Sequence, residues 1–594
     1  MKDMNTLPRE EYPRPDFVRD SYQCLNGEWD FAYDDQNVGL SEKWFQGKAL
    51  DKKIIVPYTY LTELSGINEQ DFHDVVWYRK EVKVERKISN GRVILHFGAV
   101  DYTSDVWVNG THVLHHVGGN TPIEMDITEE LDAAGTASIV VRAEDDSFDF
   151  QTARGKQYWK RKSEGIFYTR TVGIWQSVWI EEVPAVSLKY SRVTTDLDQR
   201  MVEMEFALAG GKKAELEVAI SLKDTELMRS TVQIINGKAK VKYWLDNQIT
   251  LDWHHQESWI WNPENPVLFD YEVRVKAEEN GDVTDEIKSY FAFRKINVMN
   301  GRILLNNRPY FFKMLLDQGY WRKSLLTAPT DEDFKNDILN AKKMGFNGVR
   351  KHQKVEDPRY LYWADKLGFL VWGEGPSSYE YSESAVEYHT KEWLEVLRRD
   401  YNHPCIMAWV PLNESWGVQE IQDRQDEQAH SLGLYYLIKS IDQTRLVISN
   451  DGWTHTKSDI ISIHDYEPKE EILEKRYGTL ESILDTFPGG RPLFAKGYHY
   501  HGEPIMVTEF GGISYCKDGT EGWGYSAAEN DEDYVERFRA VVEPLITSDY
   551  IQGYVYTQLT DVEQEINGLM TYDREFKVDP EKIKAINDKA KVRG

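Results

Sequence analysis

Cysteine is almost missing from this chain: three residues in 594, Cys24, Cys405 and Cys516. They are odd in number, far apart and without metal-ligand spacing, so neither a disulfide framework nor a zinc site is indicated. Long apolar runs are missing too. No stretch reaches the ~20 residues that a membrane-spanning helix needs. The opening segment MKDMNTLPREEYPRPDF is polar and broken by proline, without the apolar centre of a signal peptide. The expectation is a reducing, cytoplasmic setting and no membrane partner. An excess of positive charge is likewise missing. Lys and Arg number 71 against 99 Asp and Glu, a net charge of −28. Such a surface repels phosphate backbones and anionic lipids, which argues against nucleic acid as a partner. There is no Gly-rich phosphate loop, fixed-period repeat or low-complexity segment. No cofactor and no metal ion is expected, and homo-oligomerisation stays open.

What is abundant is aromatic: 13% of the chain, with 19 Trp and 34 Tyr. These rings join an apolar face to a polar edge, which suits a half-apolar ligand such as a sugar, and equally suits the cores of large β-sandwiches. A chain of this length holds three or four domains. Residues 1–184 read as β-rich: WYRKEVKV (Trp77–Val84), GRVILHFGAVDYTSDVWVNG (Gly91–Gly110) and ASIVVRAED (Ala137–Asp145) are alternating or β-branched, with a turn at Asn109-Gly110. A jelly-roll sandwich is expected there. Residues 185–294 repeat the pattern over a length that fits an immunoglobulin-like sandwich. After Arg294 strands alternate with helices, such as TDEDFKNDILNAKKMG, with Thr330 able to cap and Gly345 to stop it. Eight candidate strands follow: 310–315, 346–350, 369–373, 406–412, 446–450, 460–464, 505–508 and 553–557. Eight in about 300 residues is the count and size of a (β/α)8 TIM barrel, here 295–594. The fold class is therefore multidomain, two β-sandwiches followed by an α/β barrel.

In such a barrel, reacting groups sit at the C-terminal ends of the strands. Reading those ends in order gives Arg350, Lys351 and His352 after strand two, Glu374 after three, Asn413 and Glu414 after four, with Trp416 beyond. Asp451 and Trp453 follow strand five, His464 and Tyr466 strand six, Glu509 strand seven, Tyr556 strand eight; Asp317 is a further candidate after strand one. Glu414, in CIMAWVPLNESWG, and Glu509, in PIMVTEFGG, each end an uninterrupted apolar strand. Strands four and seven face each other across the mouth. Two carboxylates across a cavity fit glycoside hydrolysis, one protonating the leaving oxygen and one attacking the anomeric carbon. The sequence separation does not give their distance, so the stereochemical outcome stays open at this point.

YNHPCIMAWVPLNESWG resembles the acid/base segment of glycoside hydrolase family 2, the β-galactosidase and β-glucuronidase family, and PIMVTEFGG resembles its nucleophile segment. WYRKEVKV, LHFGAVDYTSDVWVNG and GIWQSVWIEEVP resemble its N-terminal sugar-binding domain, and the likeness runs from about residue 20 to 578. It implies a retaining mechanism through a covalent glycosyl-enzyme, with Glu414 as acid/base and Glu509 as nucleophile. Asn413 then sits where the family's amide bonds the 2-hydroxyl, Tyr466 where a tyrosine holds the nucleophile, and Tyr556 where a tryptophan stacks on sugar. The charge of Glu509 and partial burial are expected to raise the Glu414 pKa. Two features depart from the family. The Asn-x-Lys pair by which its β-glucuronidases hold a carboxylate is absent, since Asn567 is followed by Gly568-Leu569. An aspartate before Gly173-Ile174 is absent as well. The expected activity is a retaining exo-β-glycosidase, galactoside-like. The alternatives are a β-hexuronidase, with Lys351 as the residue that tests it, and, remotely, a non-catalytic carbohydrate-binding protein.

Overall fold

The computed structural model describes residues 7–245, 258–276, 283–517, 519 and 521–590. Residues 277–282, inside the strand-rich stretch 270–294, lie outside them.

Near the N-terminus two antiparallel sheets face each other. One has six strands, among them Val75–Lys83 and Thr136–Glu144 paired over their full length; the other has four, including Arg92–Phe97 and Val178–Val183. Alternation puts Val76, Tyr78, Val93, Leu95, Ile139 and Val141 into one core between the sheets. A second sandwich of three and four strands follows, with its own core around Phe206, Leu216, Val218, Phe269 and Val273.

The barrel strands are β1 (Phe312–Asp317), β2 (Gly348–Lys351), β3 (Leu370–Glu374), β4 (Ile406–Val410), β5 (Leu446–Val447), β6 (Ile461–Asp465), β7 (Ile505–Phe510) and β8 (Ile551–Tyr556). They form one sheet in the order 5-4-3-2-1-8-7-6, and every pairing is parallel. The seam between β5 and β6 has no ladder. There Asp459 bridges the gap, its N–H donating to Val447 O at 2.8 Å and its carboxylate accepting from Val447 N at 2.8 Å. Crossover helices include α1 (Asp331–Lys343), α2 (Pro358–Leu367), α3 (Glu383–Asp400), α4 (Gln425–Ile441) and α5 (Glu470–Tyr477), then, beyond a short helix, α6 (Asp531–Thr547). Thr330 stands at the N-cap of α1, yet its hydroxyl bonds the Asp333 carboxylate at 2.6 Å instead of a backbone N–H. Gly368, with φ at 67°, ends α2.

The sandwich and the barrel share a core. Tyr320, Leu325, Val562 and Tyr572, from loops at the barrel mouth, pack into the first sandwich's apolar cluster. Polar contacts add to this: Arg9 meets Asp357 at 3.1 Å, and the Thr327 hydroxyl donates to Trp175 O at 2.6 Å. This docking presses the sandwich segment 145–172 against the strand ends.

Candidate active site

Glu414 and Glu509 come together as the strand count predicts. With His464 they form a cluster whose ligand atoms all lie within 4.8 Å of one another, so an oxygen of each glutamate is that close. Glu509 is buried at the end of β7 with both oxygens engaged: Arg350 Nη1 donates to Oε1 at 2.9 Å and Tyr466 Oη to Oε2 at 2.7 Å. Glu414 is more open, its side chain 18% exposed, and His464 Nδ1 lies 2.8 Å from Oε1.

The Glu414 turn is unusual. Glu414 and Ser415 have φ of 52° and 62°, a left-handed conformation that side chains adopt at a cost. The end of β5 holds them there. Glu414 N donates to Asp451 O at 2.8 Å, Ser415 N to Asn450 Oδ1 at 2.9 Å, and Asn450 Nδ2 to Ser415 Oγ at 3.0 Å. The chain thus turns sharply out of β4 and aims a carboxylate along the mouth.

Beneath the pair lies a charged network. Arg350, fully buried at the end of β2, reaches Glu374 at 2.6 Å, Asp451 at 2.8 Å and Glu509 at 2.9 Å, and its Nη2 donates to Asn413 Oδ1 at 2.6 Å. That bond fixes the Asn413 amide and leaves its buried Nδ2 with no partner among the described residues. His464 lies between carboxylates, its Nε2 2.9 Å from Asp451. Burial alone would lower its pKa, but Glu509 and Asp451 push it up to about 10, so the ring is an imidazolium at neutral pH. Burial pushes the Glu414 carboxyl up, yet the hydrogen bond and charge of His464, with Lys156 and Arg350, outweigh it and hold the group below its ordinary value. This reverses the expectation that Glu509 would raise it: a cation stands beside Glu414, closer than the second carboxylate's influence can offset. His352 is driven the other way, well below its ordinary value, by burial and by the charges of Lys156 and Arg350. It stays neutral, 3.1 Å from Glu374.

Of the residues expected at the site, Arg350, His352, Asn413, His464, Tyr466, Trp416 and Trp453 are there. Trp416 and Trp453 line a cavity of about 410 Å³ beside Glu414. Three expectations fail. Lys351 does not face the mouth: in a strand, neighbours point to opposite sides, so with Arg350 inward Lys351 points outward. It ends in a buried cluster with Asp317 and Glu356, the latter at 2.6 Å. Asp317 is taken up by that same ion pair and is not at the site. Tyr556 also lies on the outward face, its ring 4.9 Å from Phe538 of α6 and 5.6 Å from Phe510. Thr557, one residue on, reaches the inside, with Oγ1 3.2 Å from Tyr466 Oη.

The sequence reading missed other residues. Tyr525 stacks on Tyr466, centroids 3.5 Å apart and planes at 7°. Phe150, Trp159 and Phe167, all from the first sandwich, join Tyr379 in the wall of the cavity beside Glu414. Glu565 is buried near the site and accepts from Tyr168 Oη at 2.5 Å and Asn567 Nδ2 at 2.9 Å. The aromatic density of segment 148–168 was the available signal. The Glu414, His464 and Glu509 cluster has the make-up of a metal site, but each of its members already serves a protein partner.

Comparison with known proteins agrees with this geometry. Residues 22–184 match the sugar binding domain of glycosyl hydrolases family 2, residues 186–294 match that family's next domain, and residues 296–587 match its TIM barrel domain. A putative β-glucuronidase of Formosa agariphila is 26% identical over 88% of this chain and 66% of its own length. A β-galactosidase of Thermoanaerobacter pseudethanolicus is 24% identical over 69% of this chain and 52% of its own. The chain thus spans roughly half to two thirds of the length of these relatives. In fold it is similar to a β-glucuronidase from an uncultured Clostridium, with a TM-score of 0.76, 20% identity, and 96% and 98% of the two chains covered. With all three of the family's domains matched in order along the chain, it belongs to glycosyl hydrolases family 2.

Proposed function

We propose that the chain is a retaining exo-β-glycosidase that removes terminal, non-reducing β-linked sugars by double displacement. The observation that carries the reading is the approach of the Glu414 and Glu509 carboxylates to within 4.8 Å. Retaining pairs stand about 5–5.5 Å apart, whereas inverting pairs need about 6.5–9.5 Å to admit a water. Glu509 attacks the anomeric carbon, with Arg350 and Tyr466 fixing its two oxygens in place. Glu414 protonates the departing oxygen and then serves as base toward water. The proton it gives is stored next door. His464 Nδ1 is 2.8 Å from Glu414 Oε1, so the imidazolium passes a proton along that bond as the glycosidic oxygen draws on Glu414. The unpartnered Asn413 Nδ2 is the donor for the sugar's 2-hydroxyl, a bond that strengthens in the transition state. The cavity beside Glu414 is walled by rings from two domains, which supports a site for the leaving group there.

The test is a panel of chromogenic β-galactoside, β-glucoside, β-glucuronide, β-galacturonide, β-mannoside and α-arabinoside substrates, with the first-formed sugar observed by NMR. Turnover of at least one, with the anomeric configuration kept, is expected. An inverted first product contradicts the reading.

A further inference from the structure

Lys156 enters the site described above only through its charge on Glu414 and His352, and its position is built with care. It is only 7% exposed, and lysines buried to this degree are nearly always paired. Among the described residues its ammonium makes no hydrogen bond and no ion pair. It lies over the face of Trp416, two residues beyond Glu414, with the ring centroid 5.0 Å from Nζ. The backbone is held on both sides. Gly155 N donates to Ser377 O at 3.0 Å, Tyr168 N donates to Lys156 O at 2.9 Å, and the Tyr379 hydroxyl reaches the carbonyls of Gly155 and Gln157 at 2.5 and 2.8 Å.

The ammonium lies over Trp416, which lines the cavity beside Glu414, and its charge acts on Glu414, His352 and Glu565. None of these quenches it. The oxygens of Glu565 are occupied by Tyr168 and Asn567, and His352 carries no negative charge. The other two cations of the site, Arg350 and His464, are each held by at least two carboxylates. Lys577, downstream of Asn567, is tied to Asp561 at 2.6 Å and to Ile566 O. Arg491 also lines the cavity beside Glu414 but is exposed to solvent, so Lys156 is a largely buried cation at the mouth whose hydrogen-bonding capacity is unspent among the described residues. A neutral sugar would give it only hydroxyl oxygens, while a carboxylate would give it charge and acceptor together.

We propose that Lys156, delivered by the N-terminal sandwich, selects an anionic glycone: its ammonium receives the carboxylate of a hexuronic acid bound between Glu414 and Glu509. The proposal rests on the glycosidase reading above. It makes the sandwich domain the reader of substrate charge and the barrel the site of bond cleavage.

The experiment measures kcat/KM for 4-nitrophenyl β-galacturonide, β-galactoside, β-glucuronide and β-glucoside with wild type, Lys156→Met and Lys156→Arg. Wild type is expected to favour one uronide over its neutral counterpart. Lys156→Met should cut that ratio by roughly 30-fold to 1,000-fold, the loss typical of a buried charge left without its partner. Neutral turnover should fall much less than uronide turnover, and Lys156→Arg should restore part of the ratio. A wild type that favours the neutral sugars, or a ratio that Lys156→Met leaves unchanged, overturns the proposal. Glu509→Gln separates the two levels. It silences whichever sugar is preferred if the glycosidase reading holds, so a failed Lys156 test beside a silent Glu509→Gln removes only the inference drawn here. Calorimetric titration with free galacturonate and glucuronate covers the case of no turnover: binding that Lys156→Met abolishes supports the proposal, and absent or unchanged binding overturns it.

Discussion

At the scale of single residues, the proposed chemistry turns on the contact between Glu414 and His464, 2.8 Å apart. Removing the carboxylate separates the two chemical steps. Glu414→Ala should lose about 10²–10⁴-fold on substrates with poor leaving groups, the usual contribution of a positioned acid. Activated aryl glycosides should still form the glycosyl-enzyme and then stall. Azide, which needs no base, should release it as the β-glycosyl azide; an α-azide, or no rescue, counts against Glu414. The imidazolium makes a second forecast. Glycosylation needs the proton that the pair carries, and the pair keeps it until pH approaches the His464 value of about 10. The alkaline limb of the kcat/KM profile should lie near there, and His464→Gln should move it down by at least about two units, toward the range of an isolated glutamic acid. The stability signs follow from the same directions. His464 is raised above its unfolded value, so its contribution is full below about pH 6.5 and is lost as pH rises toward 10. Glu414 is lowered, so its contribution is present above its unfolded value and is lost as pH falls through the folded one. A pH series of thermal melts should show a smaller alkaline decline in His464→Gln than in wild type.

At the scale of strands, the alternation of side chains decides which residues do chemistry. Arg350 and Lys351 are neighbours with the same charge, yet one binds the Glu374, Asp451 and Glu509 carboxylates at the mouth and the other pairs with Asp317 and Glu356 behind the strand. Lys351→Met leaves Asp317 and Glu356 facing each other in a buried space. It should cost about 3–5 kcal/mol, as breaking a buried ion pair does, while kcat/KM per folded molecule and its sugar preference stay unchanged. A specific loss of uronide activity at unchanged melting temperature would place Lys351 at the site after all. The eight strands were legible in the sequence because each is a short apolar run bounded by turn residues, and the two glutamates because each ends such a run. The facing was not. Strand ends read as Arg350-Lys351 or Tyr556-Thr557 do not say which member points inward until the pairing register is known, and a shift of one residue exchanges them. Tyr556 was therefore assigned the place that Thr557 occupies. The pKa of Glu414 was misjudged for a related reason, since the position of His464 at 2.8 Å depends on how β6 is set against β4.

At the scale of the molecule, the pocket belongs to two domains. The segment 145–172 contains no long strand or helix, and its sequence alone does not reveal that docking brings Phe150, Trp159 and Phe167 over the barrel mouth. The contact is close. Gly155 has φ at 59°, and a Cβ there would meet Gln353 O at 2.5 Å and Pro376 Cβ at 2.9 Å. Gly155→Ala should lift the segment off the barrel without unfolding either domain. A fall of at least about tenfold in kcat/KM on every substrate is expected, from loss of positioning, with little change in far-UV circular dichroism. Unchanged kinetics would mean that the sandwich is only a support. The central claim, that Glu509 forms the covalent intermediate, is tested most directly by mass spectrometry after treatment with the activated 2-deoxy-2-fluoro β-glycoside of whichever sugar the enzyme hydrolyses. The account predicts one added fluoroglycosyl group, carried by the peptide containing Glu509. A label on Glu414 or elsewhere, or steady hydrolysis of the parent sugar with inverted configuration and no label, would contradict it.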